Sequence, residues 1–442
     1  MTGASEAKDF YQTHFSQIEK ETGRNGQAWT RKIREAAMSR FSEMGFPTIR
    51  DEEWKYTNVA PLAKIPFQPA PFKSGRPAPD RVERFSLGMT EAIRLVFVDG
   101  GYSPELSSLH RLPQGVQVGS LAAALHGEAG WVQSHLARYA DYQEHAFVAL
   151  NTALMRDGAF VYVPEGRIVA QPIHLLFLST GAKEATISHP RNLLVIGKGG
   201  QATIVESYTA LENKVYFTNA VTELVVGENG VVEHYKLQQE SGEAFHIATL
   251  QVRLDRNGNC SSHSIALGGA LVRNEVNAVL DGEGGECALN GFYMVRGEQH
   301  VDNHTRIDHV KPHCTSRELY KGVLDGRSKG VFNGKIYVHK AAQKSDAKQT
   351  NNNLLLSRDA SIDTKPQLEI YNNDVKCTHG STIGQLDQDS IFYLRSRGIG
   401  VEAARSLLAY AFASDVMGRI RIEPMRAHLD KLLVAKFHHD GS

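Results

Sequence analysis

The sequence predicts a mainly β fold, in which a long run of strand and turn units is held between helical segments at both ends. Three observations carry this. From about Phe160, short apolar strands alternate with glycine or Asx turns for over 200 residues, the pattern of strand-rich structure. Before and after that run, apolar residues recur at helical spacing. The turns themselves repeat: Ile196-Gly-Lys-Gly-Gly-Gln, Val226-Gly-Glu-Asn-Gly-Val, Leu254-Asp-Arg-Asn-Gly-Asn and Leu280-Asp-Gly-Glu-Gly-Gly begin 30, 28 and 26 residues apart, and Leu324-Asp-Gly-Arg-Ser-Lys follows the same idea. Units of this size suit hairpins of a sandwich, blades of a propeller or coils of a parallel β-helix, and the period alone does not choose among them.

The 442 residues correspond to about three domains at roughly 150 residues each. The pattern places them at 1–158, helical and mixed; 159–386, the strand core; and 387–442, small and helical. In the first, Phe10, Phe15 and Ile18 share a helical face, as do Trp29, Ile33, Ala37 and Phe41, and Gly45 and Pro47 stop the second helix. Prolines from Pro61 through Pro66, Pro69, Pro71 and Pro77 to Pro79 then predict irregular backbone, leading to a strand at 93–98. Helical spacing returns over 121–126, again over 131–139, and in the stripe Phe147, Leu150 and Leu154 that ends at Gly158. Beyond the strand core, Asp387 is an N-cap and Gly398 a stop. A second helix starts near Val401 with Ala404, Leu407, Leu408, Ala411 and Phe412 on one face, and a third spans 426–437 with Leu429, Leu432 and Leu433.

Composition excludes several classes of function. The 49 basic and 49 acidic side chains cancel, so nothing in the average charge draws nucleic acid or anionic lipid. The first residues have no apolar core of signal-peptide length, and no uncharged apolar run of about 18 residues occurs. The expectation is a soluble cytoplasmic protein whose four cysteines are reduced thiols. No G-x-x-x-x-G-K-[ST] motif occurs, so the chain is expected to bind no nucleotide itself. The G-x-G-x-x-A of Gly197 to Ala202 leads into another strand where dinucleotide binding needs a helix. Neither G-x-S-x-G nor H-E-x-x-H is present, and Ser345-Asp-Ala-Lys348 stands without the other motifs of acyl-enzymes. A carbohydrate-cleaving β-helix would need a groove of clustered carboxylates, and none is legible.

Three groups of metal-ligating residues stand out. Cys260, Cys287 and Cys314 are 27 and 27 residues apart, each after a turn, and Cys377 follows another; coils stacked about 4.8 Å apart would place them in one column, as core packing or as a functional row. His300, His304, His309, His313 and Cys314 have no zinc-finger spacing and read as hydrogen-bonded or solvated side chains, with His300 and His304 on one strand face. Cys377-Thr-His379 is sharper, since residues i and i+2 of a strand project together and bring a thiol and an imidazole toward one ion. Two ligands cannot enclose it, so such a site would need ligands from another coil or chain.

The block from Thr364 to Asp387, centred on Tyr371-Asn-Asn-Asp-Val-Lys-Cys-Thr-His-Gly-Ser-Thr-Ile-Gly384, closely resembles the SufB/SufD family of the SUF iron–sulfur cluster assembly machinery. Phe392-Tyr-Leu-Arg-Ser-Arg-Gly-Ile399, Glu52-Glu-Trp-Lys-Tyr-Thr57, Leu150-Asn-Thr-Ala-Leu154 and the Thr-Asn-Asn-Asn-Leu-Leu-Leu stretch within 345–356 add to the resemblance, which spans most of the chain. It favours the SufD branch, because SufB typically has Glu-His-Glu-Ala where this chain has Cys377-Thr-His379-Gly380. The resemblance implies a right-handed parallel β-helix core with an N-terminal helical and mixed domain and a small C-terminal helical domain. It also implies a non-enzymatic scaffold subunit that pairs with a SufB-like chain and docks a SufC ATPase through its C-terminal helices, and a homodimer is possible for the isolated chain. In such a subunit His379, and with it Cys377, would meet a transient iron–sulfur cluster at the SufB interface, His379 as the metal ligand; His309 and Cys314 match family-like positions without a defined role. The alternative is a purely structural subunit that stabilises SufB and recruits SufC without contacting iron.

Overall fold

A computed structural model describes residues 2–22, 27–70, 77–109, 112–127, 130–181 and 184–438; Pro71 lies outside them. Two stacks of parallel strands run the length of the molecule. The first stack orders Ala159–Val163, Arg191–Ile196, Tyr216–Val226, Phe245–Leu254, Leu271–Leu280, His300–His309, Lys329–Val338 and Ser361–Ile370. The second orders Ile93–Val98, Ile173–Ser179, Gln201–Ala210, Val231–Gln239, Asn259–Ala266, Glu286–Val295, Thr315–Leu324, Asp346–Leu355 and Lys376–Gly384. The chain crosses from one stack to the other at each turn, so every coil gives one strand to each. This is a parallel β-helix, and it decides among the three repeat architectures.

The repeat lengths follow from register. Ile196 pairs with Val226, Val226 with Leu254 and Leu254 with Leu280, so the predicted turn spacing is the coil length at the end of the first stack. Leu324 instead closes a strand of the second stack, where its partner is Val295. That turn belongs to the other crossing of the coil, a distinction invisible to a turn motif alone. Side chains alternate in and out along each strand, and the inward ones pack together between the stacks. Where two tyrosines enter, glycines face them: a Cβ at Gly291 would lie 2.1 Å from the Tyr320 ring, and one at Gly322 2.2 Å from the Tyr293 ring.

One end of the β-helix is closed. Gln117–Ser120 runs antiparallel against Ala159–Val163, and Gly101–Tyr102 against Ile93–Val98, so neither stack presents a bare parallel edge there. The N-terminal helices Thr2–Thr22, Ala28–Met44 and Ala146–Leu154 cover the outer face of the first stack, burying Tyr11, Phe41, Phe147 and Leu150 against Phe217 and Ile247. The C-terminal helices Gln388–Ser396, Val401–Met417 and Glu423–His438 cover the outer face of the second, with Ala413, Met417, Leu429 and Leu433 on Tyr235, Phe292 and Leu319. None of the described helices is long and apolar enough to cross a membrane.

The predicted helix over 131–139 stops at His135. The reason is a buried carboxylate: Glu223 accepts backbone N–H bonds from Ala137 at 2.8 Å, Tyr139 at 2.8 Å and Ala140 at 3.0 Å, and Ala137 turns to positive φ. The same carboxylate pairs with Arg191 at 2.7 Å, both side chains fully buried. Arg191 is in turn held by Asn151 at 3.3 Å and Thr152 at 2.9 Å, which gives the Leu150-Asn-Thr-Ala-Leu154 stretch its purpose. In the proline-rich segment, Pro61 and Pro79 sit in the first turn of short helices, where a missing N–H costs nothing.

Arg191→Ala would leave Glu223 charged and uncompensated in the interior. Such loss costs about 3–5 kcal/mol; chemical denaturation should show it as a lower midpoint, and a change below about 1 kcal/mol would mean that the backbone donors alone satisfy the carboxylate.

Candidate functional site

The other end of the β-helix is open. Its last two strands, Ser361–Ile370 and Lys376–Gly384, each pair on one side only. Their side chains are partly or fully exposed on both faces, whereas the inward positions of the preceding strand Asp346–Leu355 are buried. In-register pairing sets Cys377 on Ala347, His379 on Gln349, Ser381 on Asn351 and Ile383 on Asn353. These partners point into the β-helix, so Cys377, His379, Ser381 and Ile383 point into its open mouth. The turn before them is pinned by its Asx residues. Asn372 accepts from the Asp374 N–H at 2.8 Å and donates to the Lys340 carbonyl at 2.8 Å, and Asp374 pairs with Lys344 at 2.9 Å.

Cys377 and His379 share a face, as i, i+2 spacing requires, but occupy different surroundings. Cys377 is half-buried against Ile336, Val338, Ala342 and Ala347, and this burial raises its thiol above the usual range. His379 is exposed. The pair therefore sets an accessible imidazole beside a packed thiol.

Beneath the mouth lies a polar layer. Gln349 donates to Glu318 at 2.7 Å, and both are buried. Asn353 donates to Asn351 at 2.7 Å, and Thr364 to Asn351 at 3.0 Å. Asn352, on the opposite face, accepts from the Thr382 hydroxyl at 2.9 Å. The run of three asparagines thus ties the last coil to the one below from inside and outside. Burial without a cationic partner pushes the Glu318 carboxyl up to about 7. Sequence reading missed Glu318 and Gln349, because a charged residue in an alternating strand reads as solvent-facing; the one signal was their phase with Tyr320 and Asn351.

The other predicted groups separate. Cys260 pairs in register with Cys287, Cys287 with Ser316, Ser316 with Ala347, and Ala347 with Cys377. Three thiols therefore share one inward column, while Cys314 sits two residues ahead of it because that coil is longer than 27 residues. The column is core: burial pushes Cys260 up to about 12 and Cys287 higher than the normal thiol range, and Cys314 donates to the Gly282 carbonyl at 3.3 Å. The histidine run divides in the same way. His300 and His304 lie outward against the N-terminal segment, His300 on Thr57 at 2.9 Å and His304 on Asp302 at 3.0 Å. His309 lies inward on Ser316 at 2.9 Å. Asp302 also pairs with Arg273 at 2.6 Å, whose guanidinium lies 3.7 Å over the Trp54 ring. The Glu52-Glu-Trp-Lys-Tyr-Thr57 stretch is thus a clamp on the first stack. Among the described residues no three His, Cys, Asp or Glu side chains converge as a metal would need.

A second exposed surface lies on the C-terminal helices. Ile391 is buried, but Phe392 and Tyr393 beside it are 73% and 55% exposed, with Val401 and Leu407 also open to solvent. The helices are nonetheless fixed to the β-helix by Lys321 on Asp415 at 2.9 Å and Arg421 on Glu233 at 2.6 Å.

Comparison with known families places residues 177–412 in the SufBD core domain of SUF-system FeS cluster assembly and residues 5–175 in the SufBD N-terminal region. An iron–sulfur cluster assembly SufBD family protein of Synechocystis sp. is 35% identical over 406 residues, covering 90% of this chain and 88% of its own. The iron–sulfur cluster assembly protein SufD of Escherichia coli is 34% identical over 384 residues, 86% of this chain and 87% of its own. The Bacillus subtilis protein of the same description is 26% identical over 92% of this chain and 94% of its own.

The buried Glu318 gives a pH dependence. Its folded value, about 7, lies above the ordinary 4.5, so between those limits the folded chain holds a proton that the unfolded chain releases, and stability falls as pH rises. Glu318→Gln removes that penalty. Its stability relative to the native chain should match at pH near 4 and rise by about 2–3 kcal/mol by pH 8, measured by urea unfolding; a difference independent of pH would show that Glu318 titrates normally.

Proposed function

The chain belongs to the SufBD family of SUF-system iron–sulfur cluster assembly proteins, and on that premise we propose that it is a scaffold subunit of this machinery with no catalytic step of its own. Its open β-helix end pairs with the β-helix of a SufB-like subunit, and its C-terminal helices dock a SufC-type ATPase. The observation that carries this reading is the asymmetry of the two ends. One is closed by antiparallel strands, while the other leaves two long strand edges and an exposed face bearing Ile370, Ile383 and His379. An unprotected edge of this length is a template for pairing with another chain.

At that junction the nascent cluster is the cargo. His379 supplies an exposed imidazole to iron, and the remaining ligands, a thiolate first among them, come from the partner. Cys377 lines the same mouth, and its raised thiol makes it a packing residue before it is a ligand. Phe392, Tyr393, Val401 and Leu407 form the apolar contact for the ATPase, since such rings anchor interfaces. Nucleotide hydrolysis on that subunit would move the helices and, through Lys321 on the strand Thr315–Leu324, strain the open end. The absence of a phosphate-binding loop and the balanced charge suit a cytoplasmic subunit whose partners are proteins.

His379→Ala should leave the three-subunit complex intact, by light scattering of the co-purified assembly, while iron and sulfide content falls to about a tenth or less, the scale on which ligation-shell losses act. Full cluster content in that variant would favour the alternative, a structural subunit that never meets iron. Phe392→Ala with Tyr393→Ala should instead keep the SufB-like chain and weaken ATPase binding by about 30-fold or more, the effect of losing an aromatic anchor. Retention of the ATPase at native affinity would place its dock elsewhere.

A further inference from the structure

The open mouth contains a buried amide whose oxygen has no partner. Gln349 lies 1% exposed directly beneath His379 in the register, and its Oε1 is buried without a hydrogen bond. Its other end is committed: Nε2 donates to Glu318 Oε2 at 2.7 Å. With its NH2 given to Glu318 Oε2, the amide turns its oxygen away from the carboxyl group. Space for this is provided by Gly334 on the facing stack, where a Cβ would lie 2.3 Å from Gln349 Nε2. Glu318 has Thr305 as its other near polar neighbour, and Cys287 and Tyr320 lie close enough to feel its charge. The column ends there, because the next inward position beneath Glu318 is Leu289.

In-register residues of neighbouring coils are about 4.8 Å apart, so the unpartnered oxygen of Gln349 is one coil from the exposed imidazole. A neutral imidazole has one N–H and one lone pair, and whichever nitrogen donates leaves the other to ligate. Metal-binding histidines are commonly held this way by a hydrogen bond on their second nitrogen. We infer that Gln349, anchored by Glu318, is a positioning residue that takes one ring N–H of His379 and so fixes which nitrogen is presented at the open end. The purpose of this link rests on the proposed function; the register that stacks the two residues does not.

The imidazole nitrogens report it directly. In the full chain labelled with 15N-histidine, the His379 signals, identified by their loss in His379→Ala, should show one neutral tautomer favoured by about fivefold over the ratio in the urea-unfolded chain, the bias of one ordinary hydrogen bond. Gln349→Leu and Glu318→Leu should abolish the excess, and the conservative Glu318→Gln, which still accepts from the amide, should keep it. A native His379 with the unfolded-chain ratio would overturn the inference whether or not any variant folds, as would a bias that survives Gln349→Leu. The functional reading fails separately: full cluster content in His379→Ala sinks it while leaving the tautomer bias to be observed.

Discussion

Everything in this molecule follows from the register of one parallel ladder. Backbone hydrogen bonds between coils fix the spacing at about 4.8 Å, and the inward or outward direction of each side chain is then set by parity alone. A residue in one coil inherits its surroundings from the residues directly above and below. That is why Cys260 beside Cys287 is core rather than chemistry, and why glycine must face the tyrosine rings wherever a second ring would collide. It also explains how so many polar side chains occupy the interior. Many of them meet a neighbour one coil away, as His234 does with Ser262 at 3.0 Å and Gln349 with Glu318 at 2.7 Å.

A ladder has two ends, and this chain treats them differently. The first coils are capped by short antiparallel strands and enclosed by helices. The last coil lacks both, and its inward positions carry His379, Ser381 and Ile383, which no coil covers. In a monomer such an edge is a liability. In a subunit it is a surface prepared for continuation, and the position of His379 within it follows from the same parity that buries Gln349 below.

Much of this was readable in the sequence because the repeat is long and its turns are marked. The 30, 28 and 26 residue spacing is the coil length itself, and Asp387 caps its helix through Ser390 as its side chain suggests. The same reasoning misplaced the Leu324 turn and the Cys314 thiol. Each coil carries two strands with turns of similar composition, and one longer coil shifts the phase by two residues. Nor could sequence reveal that a helix over 131–139 would end early, because the cause is Glu223, distant in the chain and adjacent in space. Glu318 was hidden for a related reason: its charge signals solvent, and only three-dimensional register shows it inside. The Cys-Thr-His pairing was legible as a shared face, whereas its division into packed thiol and exposed imidazole needed the coil beneath.

That division argues for how a junction of two chains can build a cluster without trapping it. A thiolate and an imidazole from the same strand would bind iron firmly even before a partner arrived. Here the thiol is half-buried and held protonated, so the isolated chain presents only the imidazole. On the proposed reading a single imidazole would bind iron weakly, and affinity would arise only when the partner's ligands join it across the strand edges. Assembly of the two subunits and assembly of the site would then be one event, and separating the edges would undo both. On the proposed reading the C-terminal helices would exert that separation, since Val401–Met417 is tied through Lys321 to the strand Thr315–Leu324, which carries Glu318. A displacement of these helices would therefore reach the polar layer under His379 through one strand, along the ladder that positioned it.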